Sequence, residues 1–123
     1  MATFWDYNAR ALSPNTTLIA FVATFDVAGD ATLVAGDVTQ VASFDHNAKG
    51  EYEITLAQSV PEIVFATTTV IGSGAYVDRA VTVSDVGTSS FKLFVGQASD
   101  ASDADMAAGD SLAVLVVVKN SSV

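Results

Sequence analysis

Between Gly50 and Ile71 the chain spells out two strands and a corner. Tyr52, Ile54 and Leu56 alternate with Glu51, Glu53 and Thr55, a period of two that turns one face of an extended segment toward a core and leaves the other polar. Pro61 fixes its own backbone angle and has no amide donor, so pairing is interrupted at Ser59-Val60-Pro61. The stretch beyond it is rich in the β-branched and aromatic residues that suit a pleated sheet. Two further segments are apolar on both faces. From Thr17 to Val27, Ile19, Phe21, Phe25 and Val27 oppose Leu18, Ala20 and Val22; from Ser111 to Lys119, Leu112, Val114, Val116 and Val118 oppose Ala113, Leu115 and Val117. Strands of that kind are expected to be covered on both sides.

The remaining segments fall between turn signals. Ala28-Gly29-Asp30 and Gly36-Asp37 bracket a short strand over 31–35, and residues 38–44 can be extended with Val41 pointing inward. Asp45 to Gly50 reads as a polar loop closed by a glycine able to take positive φ. After the flexible turn Gly72-Ser73-Gly74, a strand is expected over 75–85, with Val77, Val81 and Val83 sharing a face with Arg79. Beyond Val86-Gly87-Thr88, Phe91, Leu93 and Val95 point inward while Lys92 and Phe94 point out. Gly96 to Asp110 reads as an acidic loop of low hydrophobicity. Seven or eight strands with no helix predict an all-β fold, a single-domain antiparallel β-sandwich, jelly-roll-like, over 17–123. The preceding residues 1–16 carry Phe4, Trp5, Tyr7 and Pro14 without alternation and are expected to form an extended N-terminal arm. Such an arm either folds back over its own domain or buries its aromatic anchors in a neighbouring subunit.

Composition changes the picture in one direction. Of 123 residues, 50% are hydrophobic and only 15% charged, with a mean hydropathy of +0.43. A two-sheet sandwich normally buries one face of each sheet, so the second apolar faces of the two terminal strands imply assembly, with a homotrimer as the expected form. The longest apolar run, Leu112 to Val118, is far shorter than the roughly 18 to 20 residues of a membrane-spanning helix. A net charge of −9, with Arg10, Lys49, Arg79, Lys92 and Lys119 scattered, argues against nucleic-acid and membrane partners. There is no cysteine to form a disulfide, and the first residues lack the pattern of a secretory signal, so synthesis in a cytoplasm without export is expected. The sequons at Asn15 and Asn120 are read as coincidental.

Candidate chemistry is sparse. Asp100, Asp103, Asp105 and Asp110 could offer oxygen ligands to a hard cation, but their spacing departs from the calcium-binding loop of EF-hands, and a solvated acidic loop is expected instead. Glu51 and Glu53 share a strand face about 7 Å apart, within the range that glycosidases use, with no second signature of hydrolysis. His46, the one histidine, follows Asp45 in a loop and is expected to titrate freely. No catalytic residue, metal or cofactor is expected.

The run Gly50-Glu51-Tyr52-Glu53-Ile54-Thr55-Leu56, then Val60-Pro61, a long Val/Thr strand, Ser89-Ser90-Phe91-Lys92-Leu93-Phe94-Val95 and the Leu112–Val118 strand together resemble the β-domains of tailed-phage virion proteins. The resemblance covers about the last 75 residues and lies in the order of strands and turns rather than in an invariant motif. It implies a non-enzymatic virion protein that forms oligomers. A chain this short is expected to be a capsid decoration or cement protein, with the major capsid protein as its partner and Phe4, Trp5, Tyr7 and Phe94 as contact residues. The alternative is a tail-fibre tip or lectin-like adhesin that stacks a host glycan on Tyr76 or Phe94.

Overall fold

A computed structural model describes residues 16–72 and 77–119. Among these residues eight strands are formed: β1 (Thr16–Phe25), β2 (Ala31–Gly36), β3 (Val41–Ala48), β4 (Glu51–Leu56), β5 (Glu62–Ile71), β6 (Ala80–Ser84), β7 (Ser90–Gly96) and β8 (Ser111–Lys119). They make two four-stranded antiparallel sheets, ordered β2-β1-β8-β5 and β3-β4-β7-β6. This is the expected single-domain antiparallel β-sandwich. The links β1–β2, β3–β4 and β6–β7 stay within a sheet, while the other connections cross between sheets.

Period-two alternation determines the core. Ile19, Phe21, Ala23 and Phe25 of β1 and Leu112, Val114, Val116 and Val118 of β8 face Phe44, Tyr52, Ile54, Leu56, Phe91, Leu93 and Val95 of the other sheet, and all are buried. Four rings tie the layers together edge to face. Phe25 lies 5.5 Å from Tyr52 and 5.9 Å from Phe44, Phe44 lies 5.8 Å from Tyr52, and Phe21 lies 6.4 Å from Phe44. Each such pair adds about 0.5–1.5 kcal/mol beyond the burial of its area. The edge strands β2 and β5 each skip one residue in their pairing, Val34 and Val64, which leaves both side chains exposed at bulges that interrupt the sheet's edges.

Three local expectations change. The polar segment Asp45–Ala48 continues β3 rather than looping, because Asp45 pairs with Glu53 and His46 with Tyr52 on the neighbouring strand. Residues 38–40 form one 3₁₀ turn before β3, not its first residues. Among the described residues of the expected strand over 75–85, Ala80–Ser84 pairs, and Arg79 just before it donates to the main-chain carbonyls of Asp105 and Asp78. Among the described residues no helix is long and apolar enough to cross a membrane.

Candidate functional site

Two features of the fold carry functional meaning, a sheet face and a side-chain cluster. The outer face of the β2-β1-β8-β5 sheet is built in rows fixed by strand register. Leu18, Val117 and Phe65 form one row, Ala20, Leu115 and Thr67 the next, and Val22, Ala113 and Thr69 the third, extended by Ala35 on β2. Thr24, Ser111 and Ile71 complete one end. At the other, Lys119 sits between Thr16 and Glu62 and pairs with Glu62 at 3.4 Å. Between those ends no residue is charged. The short side chains of Ala20 and Ala113, with Gly36, leave a shallow trough of about 410 Å³, while Phe65 and Ile71 stand nearly half exposed on the same face. Val117 is buried at 2% exposure although it faces outward and lies outside the main core cluster, flanked by Leu18 and Phe65. The expectation that β1 and β8 are covered on both sides is therefore not met within the described residues, where Ala20 is exposed and Leu18, Val22, Ala113 and Leu115 are only partly covered.

The outer face of β3-β4-β7-β6 is a different surface. Its rows read Ala48, Glu51, Phe94, Thr82; then Asp45, Glu53, Lys92, Ser84; then Ser43, Thr55, Ser90. Lys92 reaches Glu51 at 3.8 Å and Asp85 at 4.0 Å. Glu51 thus shares an ion pair with Lys92, while Glu53 lies opposite that lysine in the strand register. Phe94 is 39% exposed and lines a depression of about 250 Å³ with Thr82, Gln97 and Asp103. Phe4, Trp5, Tyr7 and Tyr76 lie outside the described residues.

His46 does not titrate freely in a loop. Its Nδ1 lies 3.0 Å from Asp30 Oδ1 and its Nε2 2.7 Å from Asp105 Oδ1, so both contacts are hydrogen bonds only when both ring nitrogens carry protons. The ring stacks on Tyr52, with centroids 4.7 Å apart and planes 15° apart. Partial burial draws its pKa down, but the hydrogen bonds and charges of Asp30 and Asp105 outweigh that and raise it above the ordinary 6.5. Asp105 is the hub of the cluster. Its Oδ1 also accepts from Gly50 N at 2.7 Å, and its main-chain carbonyl accepts from Arg79 Nε at 2.7 Å. Desolvation would raise the Asp105 carboxyl, but the bonds from Gly50 and His46 hold it below the usual carboxylate range. The Tyr52 hydroxyl donates to Gly29 O at 2.6 Å and accepts from Met106 N at 3.3 Å; burial pushes its pKa up to about 12.

The acidic stretch 96–110 is accordingly not a solvated loop throughout. Ala104, Met106 and Asp110 are buried, with Met106 inside the main core cluster. The four carboxylates diverge: Asp100 caps the amide and hydroxyl of Ser102, and Asp105 serves the histidine cluster. No group of three or more histidine or carboxylate side chains is placed to hold a metal ion among the described residues. The cluster lacks a nucleophile, and a histidine clamped by carboxylates at both nitrogens has no free lone pair with which to take a proton from a substrate. Sequence reasoning missed it because Asp30, His46 and Asp105 are separated by 16 and 59 residues and each sits in an ordinary turn or polar context. The chain matches no family model, no curated protein and no solved structure.

Proposed function

We propose that the chain is a non-enzymatic structural protein of a virion, a capsid decoration or cement protein that works as a homo-oligomer, with a trimer as its form. The observation that carries the binding role is the uncharged outer face of β2-β1-β8-β5 on a chain of net charge −9. Copies of so acidic a molecule repel one another at most orientations, and a face whose middle rows carry no carboxylate, with Glu62 paired to Lys119 at one end, is the one on which a second copy can settle with least desolvation of charge. Burial of Leu18, Leu115, Phe65 and Ile71 against a copy removes apolar surface at about 25 cal/mol per Å². The charged β3-β4-β7-β6 face would then point outward. The virion setting rests on the resemblance of the strand and turn order from Gly50 to Val118, and Phe4, Trp5 and Tyr7 are the proposed anchors to the major capsid protein.

Co-sedimentation of the full chain with virus particles on a density gradient tests the reading. It predicts saturable occupancy that is lost when residues 2–12 are deleted while the strand signature in circular dichroism persists. A shortened chain that occupies particles as fully as the intact one contradicts the anchoring role, and an intact chain that never sediments with particles contradicts the decoration role. The second reading, a glycan-binding tip, is favoured by one observation: Phe94 offers a half-open ring bordered by the polar groups of Thr82, Gln97 and Asp103. It predicts glycan-array binding that Phe94→Ala abolishes; no binding by the intact chain removes it.

A further inference from the structure

We propose that the β7–β8 connection, residues 97–110, is a cap latched over one end of the sandwich by the His46 ring bridging Asp30 and Asp105, and that loss of one ring proton releases it. The cap is not held by burial alone. Its hydrophobic anchor is Met106, inserted in the core, and its polar anchor is Asp105, which binds His46 from β3, Gly50 from the β3–β4 turn and, through its main chain, Arg79 from the segment before β6. Two glycines admit it. A Cβ on Gly29 would meet Asp105 Cβ at 2.9 Å, and one on Gly50, where φ is +72°, would meet Ala104 N at 3.2 Å. At these two positions the cap rests on bare backbone.

The chemistry of the latch follows from proton count. As an imidazolium, His46 donates to Asp30 and to Asp105 at once. As a neutral ring it has one proton, so one nitrogen must point a lone pair at a carboxylate, and attraction there turns to repulsion. The groups facing it from the elements around it are Asp30 at the start of β2, Asp105 in the cap and Tyr52 on β4, with Arg79 and Lys49 acting on Asp105. Tyr52 keeps its proton to about 12 and does not share the transition. His46 has a folded pKa raised above its unfolded value, so its contribution is complete below 6.5 and disappears as pH rises through the folded pKa. Asp105 has a lowered folded pKa, so its contribution persists as the solution is acidified until pH falls through that lowered value. The latch thus holds between the lowered Asp105 pKa and the raised His46 pKa and opens as pH rises through the latter, baring Met106 and Ala104.

A pH titration of the full chain by heteronuclear NMR tests this. The His46 ring is expected to titrate with a midpoint above 6.5, the amides of Gly50, Ala104 and Met106 to shift with the same midpoint, and Val114 in the β1–β8–β5 ladder to stay fixed. Asp30→Asn should lower the ring midpoint, since it removes one carboxylate while keeping the side chain's size. A ring midpoint at or below 6.5, or cap amides that stay unmoved through the ring transition, overturns the proposal. Should the variant fold poorly, the wild-type titration decides alone.

Discussion

The two sheets are alike inside and unlike outside. Inside, β1 and β8 present Phe, Ile, Leu and Val at the same spacing as β4 and β7, and the layers interlock through the same edge-to-face rings. Outside, one sheet carries Asp45, Glu51, Glu53 and Lys92 in adjacent rows, while the other runs from Val22 to Val117 and Phe65 without a charge. An inner face is dictated by the need to fold, and any sandwich must supply one. An outer face is under no such demand, so the charge-free middle rows of one of the two outer faces are the contrast on which the proposed binding role rests.

The likeness inside can be broken first. Leu112→Ala on the uncharged sheet and Leu93→Ala on the charged sheet, both with no exposed surface, are each expected to lower unfolding free energy by about 2–5 kcal/mol in urea melts. Equal losses confirm one shared core, whereas a loss confined to one sheet would mean that the layers are not mutually dependent. A smaller effect sharpens the role of the sandwich's capped end. Tyr52→Phe leaves Gly29 O and Met106 N without their partner and should cost about 1–3 kcal/mol, although no apolar area is lost. The smallest effect lies on the charged face. Lys92→Ala removes partners that are themselves about a third or more exposed, so it should cost at most about 1 kcal/mol, and the difference from wild type should shrink in high salt.

Much of this was legible in the sequence because period-two alternation records faces directly. The inward residues of β1, β4, β7 and β8 follow from it, and so does the double apolar character of β1 and β8. What alternation does not record is who covers the second face. Leu18 and Leu115 looked like buried positions but are only partly covered, because strand pairing shields a side chain along the sheet and not above it. The histidine cluster was illegible for another reason. Its three members come from three separate segments, and a hydrogen bond of 2.7 Å between residues 59 apart leaves no periodic trace. Reading residues 45–48 as a loop from their polarity also concealed that His46 stands on a strand, with its ring against Tyr52. The fate of Met106 was hidden likewise, since one apolar residue among aspartates gives no pattern although it enters the core.

The central claim is that the uncharged face joins copies of the chain, and sedimentation equilibrium of the full chain and one variant tests it most directly. The account predicts a species at a multiple of 12.7 kDa, reduced to the monomer by Leu115→Glu at the middle of that face and unaffected by Thr55→Glu on the charged one. A wild-type chain that sediments at 12.7 kDa, or an oligomer indifferent to Leu115→Glu, would contradict it.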